Sequence, residues 1–257
     1  MKDVREQWYE PEKKIAVTIA DVVGPASALA RGHLAGPTSA YYLAKALAAV
    51  ALLGAETSEA DETVILQMKC TGPLGGVNVE CTSAGTLRGY TEKKLLDDFD
   101  GLGTPDDKAV LGKRQIQVVR SVPGRILSQA VANSLDGYLA GSLQRRALVY
   151  LEAAVSEAAE IITARGVLVE ALPDSAEMVS AYVPGRLSGS SRSILARMGL
   201  PRAELRQRTP LAFACRCSPE RARAMLAALS EAEKKSLPPS LDVTCHMCGR
   251  IYSVKTN

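Results

Sequence analysis

Residues 63–81 read Thr63-Val-Ile-Leu-Gln-Met-Lys69-Cys70-Thr-Gly72-Pro73-Leu-Gly75-Gly76-Val77-Asn-Val-Glu-Cys81, and this stretch decides the fold. Thr63–Lys69 is rich in β-branched and apolar residues and reads as a strand, with Val77–Cys81 as its return. Gly72-Pro73 and Gly75-Gly76 punctuate the chain between them as a hairpin turn. The same glycines do not form a phosphate loop, because no Lys-Ser/Thr follows and no helix starts there. Ser83-Ala84-Gly85 is a shorter turn that leads into Thr86–Tyr90, a third strand. Neighbouring strands joined by tight turns predict antiparallel sheet.

The flanking sequence extends this pattern. Lys14–Asp21 alternates and reads as a strand. Thr38 or Ser39 is expected to cap an Ala/Leu-rich helix that stops at Gly54. Gln115–Arg120 and Ile126–Val131 flank Pro123-Gly124 as another hairpin, and Ser134–Arg146 reads as a helix. Leu148–Ala153 and Val167–Leu172 read as strands, separated by an apolar stretch that can be helical. Strand-rich segments with few βαβ units predict an α+β domain of largely antiparallel sheet. After Leu172 the character changes. Six arginines (186, 192, 197, 202, 206 and 208) face one acid, Glu204, in a segment punctuated by Pro and Gly. The expected division is a core domain over 1–178, a linker with short helices over 179–208, and a module over 209–257.

Composition sets outer limits. The 257 residues are 47% hydrophobic but only 4% aromatic, so Ala, Leu and Val must build the core. A formal net charge of +3 is too small to imply a nucleic-acid or membrane partner. Residues 1–20 are charged and lack an apolar run, so no secretory signal is expected. No apolar run is expected to reach the ~20 residues of a membrane span. These readings give a soluble, cytoplasmic protein without a membrane partner.

Four of the six cysteines stand near the C-terminus as Cys215-x-Cys217 and Cys245-x-x-Cys248. Soft thiolates without neighbouring carboxylates favour one tetrahedral Zn²⁺, and four of them leave no open position for catalysis, so no enzyme is expected. Gly249 suits the knuckle turn, which often needs positive φ. In the spacer, Ser218 is an N-cap and Pro219 the first helical residue, with Ala222, Met225, Leu226 and Leu229 on one face. Such a helix would bring the two pairs together. Thiolates held by a metal are also the oxidisable form of cysteine. Read from spacing alone, the site is either a permanent structural clip or a redox sensor.

Three passages resemble the redox-regulated heat-shock protein 33 family, also called the 33 kDa chaperonins. Phe213-Ala-Cys215-Arg-Cys217-Ser-Pro-Glu-Arg221 followed by Cys245-His-Met-Cys248-Gly249-Arg-Ile-Tyr252 is similar to its zinc module. Val64 to Leu74 with Leu87-Arg88-Gly89-Tyr90 is similar to its central hairpin, and Gly166 to Pro173 to the strand ending its large domain. Two places depart from the family. Ser142-Leu-Gln-Arg-Arg-Ala147 stands where a Ser-Glu-Gln-x-Pro-Thr passage is usual, and the linker is shorter and more basic. The resemblance implies an ATP-independent holdase, with one Zn²⁺ in the reduced form. It further implies Cys215–Cys217 and Cys245–Cys248 disulfides on oxidation, a homodimer when oxidised, and unfolded client proteins as partners under oxidative stress. Losing a metal that contributes on the order of 10 kcal/mol to a small module should unfold it and loosen the linker.

The alternative from another class is a zinc-ribbon RNA-binding protein without redox switching. No aromatic residues are interleaved with the arginines, so no nucleic-acid partner is expected. A thiol oxidoreductase using Cys245 and Cys248 lacks its βαβ context. Cys70 and Cys81 read as buried small side chains. His33 and His246 are too isolated for a catalytic arrangement, and Asp97-Asp98 and Asp106-Asp107 read as solvated loop charges.

Overall fold

The hairpin at 63–81 forms the middle of a six-stranded sheet in the computed structural model, which describes residues 2–101 and 103–255. The elements run β1 (Val4–Glu10), β2 (Ile15–Asp21), α1 (Val23–Gly32), α2 (Pro37–Leu53), β3 (Thr63–Cys70), β4 (Gly76–Thr82) and β5 (Thr86–Thr91). They continue as α3 (Asp107–Leu111), β6 (Arg114–Val122), β7 (Arg125–Ala132), α4 (Leu135–Ser142), β8 (Arg146–Val155) and β9 (Ile161–Ala171). The last are α5 (Ser191–Arg197), β10 (Glu204–Pro210), β11 (Ala212–Phe213), α6 (Pro219–Ala227), α7 (Glu231–Lys235), β12 (Ser240–Thr244) and β13 (Ile251–Lys255). Met1 and Asn257, the outer bounds of the expected division, lie outside the described residues.

The fold is α+β, with one sheet ordered β11-β5-β4-β3-β6-β7 and another ordered β10-β1-β2-β9-β8. All pairings in them are antiparallel except the short β11–β5 contact. α2 lies between the sheets, and Leu43, Leu47, Leu52, Val64, Val79 and Leu168 belong to one core around it. The outer face of the five-stranded sheet builds a second core. There Ile15, Val17, Ile19, Val167 and Val169 are covered by Tyr182, Leu187, Ile194, Leu195 and Met198. Fully burying each such side chain contributes about 1.5–3 kcal/mol, so segment 179–203 covers a large apolar surface.

Several local expectations change. α2 is capped by Gly36 with Pro37 in its first turn, while Thr38 and Ser39 lie inside it. Their polar groups are used elsewhere: the Thr38 amide donates to Asp100 and the Ser39 hydroxyl to the Lys93 carbonyl. By length and composition Pro37–Glu56 could cross a membrane, although Lys45 interrupts its apolar run and 78% of its most apolar window is buried in the core. α4 ends at Ser142, short of Arg146. The stretch between β8 and β9 is not helical: the strands extend through it and pair from Arg146–Ala171 to Val155–Ile161. Asp107 is not merely solvated, because it accepts from the Tyr42 hydroxyl at 2.9 Å.

Five of the six arginines of 186–208 make side-chain contacts within the chain. Arg192 donates to the Ala203 carbonyl and stacks over Trp8, and Arg197 donates to three carbonyls. Arg202 pairs with Glu12, Arg206 with Glu204, and Arg208 with buried Glu6. Residues 204–210 extend the five-stranded sheet as β10, paired along β1.

Candidate metal centre

The first cysteine pair sits on the irregular segment that joins β11 to α6, and the second on a tight turn. β11 pairs with the edge of β5, and the Ala214 amide donates to the Leu87 carbonyl, which aims Cys215 and Cys217 across that edge. Ser218 then caps α6 through the Arg221 amide, with Pro219 at its start. The second pair lies between β12 and β13. There the Gly249 amide donates to the Cys245 carbonyl at 2.8 Å, and Gly249 has φ +73°.

All four sulfurs lie within 4.8 Å of one another. Cys215 Sγ is 3.8 Å from Cys245 Sγ, and Cys217 Sγ is 3.5 Å from Cys248 Sγ. Thiolates about 2.3 Å from a tetrahedral zinc stand about 3.8 Å apart, so this donor set fits such an ion. A disulfide requires about 2.05 Å, and all six cysteines are free. The four-cysteine cluster can therefore hold a metal ion.

The surroundings bias the sulfurs. Burial pushes the Cys215 thiol up, but the Cys217 amide and the Arg88 guanidinium outweigh it and bring its pKa down to about 7. Burial raises the Cys245 and Cys248 thiols. The Tyr252 hydroxyl donates to Cys217 Sγ at 3.1 Å. A cavity of about 390 Å³, lined by Arg88, Cys217, Arg221, Cys245, His246 and Tyr252, opens beside the cluster.

Three contacts join the cluster to the six-stranded sheet and to α1. Glu80 of β4, nearly buried, accepts from Arg88 of β5 and from Arg216, which stands between the knuckle cysteines. The Gly89 amide donates to the Met247 carbonyl, while the Gly89 carbonyl meets His33 Nε2 at 3.0 Å. Burial, with Lys94 nearby, lowers the His33 pKa. Gly32 and Gly249 touch backbone to backbone: a Cβ on Gly249 would lie 1.9 Å from the Gly32 carbonyl oxygen.

The structure thus brings together all four cysteines singled out in the sequence. His246 lies beside the site, with its ring centroid 5.9 Å from that of Tyr90. Met225 does not share the buried helix face, being 67% exposed, whereas Ala222 is buried. Cys70 and Cys81 lie at opposite ends of the β3–β4 ladder, so they cannot bridge. Cys81 is buried and its thiol is pushed up to about 11. Sequence reasoning gave no role to Glu80, Arg216 or Tyr252. Arg216 and Tyr252 stand in the quoted cysteine passages and Arg88-Gly89 in the hairpin passage, which were the local signals present.

The family model described as Hsp33 protein matches residues 9–255. A 33 kDa chaperonin of Thermus thermophilus is 28% identical over 93% of this chain and 79% of its own length. One from Lacticaseibacillus paracasei is 27% identical over 98% and 95%. A crystal structure of a 33 kDa chaperonin, a heat shock protein 33 homolog from Thermotoga maritima, superposes with a TM-score of 0.87. That match covers 100% of this chain and 96% of the other at 18% identity, a likeness of fold.

Proposed function

The chain belongs to the Hsp33 family, a non-enzymatic family of chaperones, and from that premise we propose that it is an ATP-independent holdase switched on by thiol oxidation. Reduced protein holds one Zn²⁺ on Cys215, Cys217, Cys245 and Cys248. The bound metal keeps the four sulfurs as thiolates and ties the two segments together.

One observation carries this reading: the module has almost no core of its own. Among the described residues from 214 to 255, only Ala222, Cys248 and Val254 are buried and apolar. So small an apolar core cannot offset the entropy of ordering the chain, and the stability must come from whatever binds the thiols. Each disulfide forms as two thiols give two electrons to peroxide and two protons to the water produced. Once bridged, the sulfurs can no longer serve as thiolate ligands.

Cys215–Cys217 and Cys245–Cys248 are the proposed bridges. The closest sulfurs in the folded module belong to the other pairing, so the proposed bridges form as the module opens, where short loops close at least entropic cost. The linker proposed over 179–208 then loosens, and the apolar face under Tyr182, Leu187 and Ile194 becomes available to unfolded clients in the cytoplasm. The intramolecular engagement of Arg192, Arg197, Arg202, Arg206 and Arg208 supports this reading over the RNA-binding one.

The test compares suppression of client aggregation before and after peroxide, with disulfides mapped by mass spectrometry. Activity confined to the oxidised protein, carrying the two local bridges, is expected. Equal activity in both states would defeat the proposal, and salt-sensitive RNA binding by reduced protein would favour the alternative.

A further inference from the structure

β10 and β1 are unequal partners. β1 buries nearly all its side chains, with only Gln7 and Tyr9 partly exposed, whereas six of the seven β10 residues are exposed. β10 therefore contributes main-chain pairing and little core. β1 does not need β10 to stay extended, because β2 pairs with it from Val4 to Glu10 on its other side. β10 also leads directly into the switch. The Leu211 amide donates to the Asp3 carbonyl, β11 adds two paired residues, and Cys215 follows.

Resting on the redox reading above, we propose that β1 is a client-holding edge. When the module opens, β10 leaves, and an extended segment of a non-native chain carrying arginine or lysine takes its place. Main-chain hydrogen bonding to a strand edge gives affinity with little demand on sequence, as a holdase requires. The charge preference is written in the present occupant. Arg208 pairs with Glu6, which lies opposite it in register, and the Arg206 guanidinium sits 5.4 Å from the Tyr9 ring centroid. Among the described residues, one buried Glu10 carboxylate oxygen has no hydrogen-bond partner. In the closed state the outer edge belongs to β10, where Glu204, Arg206, Arg208 and Pro210 discourage pairing.

Trp8, the only tryptophan, lies on β1 and is 6% exposed beneath Arg192, so the protein carries its own reporter of this edge. The experiment uses oxidised and reduced full-length protein and a labelled peptide with the sequence of residues 203–211. A second peptide carries Arg206→Glu and Arg208→Glu. The first peptide should bind only oxidised protein, shift Trp8 emission back to the blue, and block suppression of reporter-enzyme aggregation. The charge-reversed peptide should bind about ten-fold more weakly or worse. If oxidised protein suppresses aggregation but neither binds the peptide nor is blocked by it, β1 is not the client site and the redox reading stands. If the peptide only splits an oxidised dimer and leaves client capture unchanged, the edge belongs to a second copy and the client assignment is overturned. If oxidation brings no suppression, the redox reading falls and takes this proposal with it.

Discussion

Replacing Glu80 with Gln probes how the module is held against the core domain. The carboxylate receives Arg88 from the neighbouring strand and Arg216 from the knuckle. Side-chain exposure is 8% for Glu80, 15% for Arg88 and 55% for Arg216, so the two bridges differ in weight. Removing one member of a buried pair costs about 3–5 kcal/mol. The amide of Gln still accepts one hydrogen bond, which places the Arg88 contribution to global stability near 3 kcal/mol, the low end of that range. Arg216 is more than half exposed, so its bridge across the boundary contributes about 1 kcal/mol, roughly a five-fold change in docking. Native-state hydrogen exchange at the Gly89 amide, which donates to Met247, reads docking directly. Denaturant titration reads global stability. Glu80→Gln should change both, whereas Arg216→Ala should lower Gly89 protection about five-fold with little global effect. Unchanged Gly89 protection in both variants would refute the idea that this carboxylate holds the module.

Three further outcomes are expected. Cys245→Ser should abolish metal retention while residues 1–172 keep their far-ultraviolet dichroism; collapse of the whole chain would contradict an independently folded core. Gly249→Ala combines φ +73° with a 1.9 Å approach to Gly32 and should raise zinc transfer to a chelator about 5- to 30-fold, the equivalent of about 1–2 kcal/mol. Gly185→Ala, also at positive φ but in open space, should leave zinc transfer unchanged. Burial raises the Glu62 carboxyl, but hydrogen bonds from Arg120, Ser58 and Glu59 outweigh it and hold its pKa below the ordinary 4.5. Its stabilising contribution is therefore present above pH 4.5 and lost as pH falls below it, so Glu62→Gln should flatten the acid limb of a stability–pH curve.

The central hairpins and α2 were legible because their turns and apolar patterns agree with the final packing. The four-cysteine cluster was legible from spacing. β1 was not, because Val4-Arg-Glu-Gln-Trp-Tyr-Glu10 buries three charged residues, and Arg5 and Glu6 find long-range partners that local pattern cannot show. β10 read as linker because six of its seven side chains stay exposed and it joins the sheet mainly through its backbone. α1 was hidden by Gly24-Pro25 in its first turn, where Pro is tolerated because its missing amide has no helical partner. The grip of Glu80 on Arg216 links residues far apart in sequence, beyond any motif.

The most direct test follows zinc release, thiol loss and client capture together during peroxide treatment of reduced, zinc-loaded protein. One Zn²⁺ should leave per chain as four thiols disappear, with suppression of client aggregation rising in step. Capture that precedes zinc release, or zinc release without capture, would contradict the account.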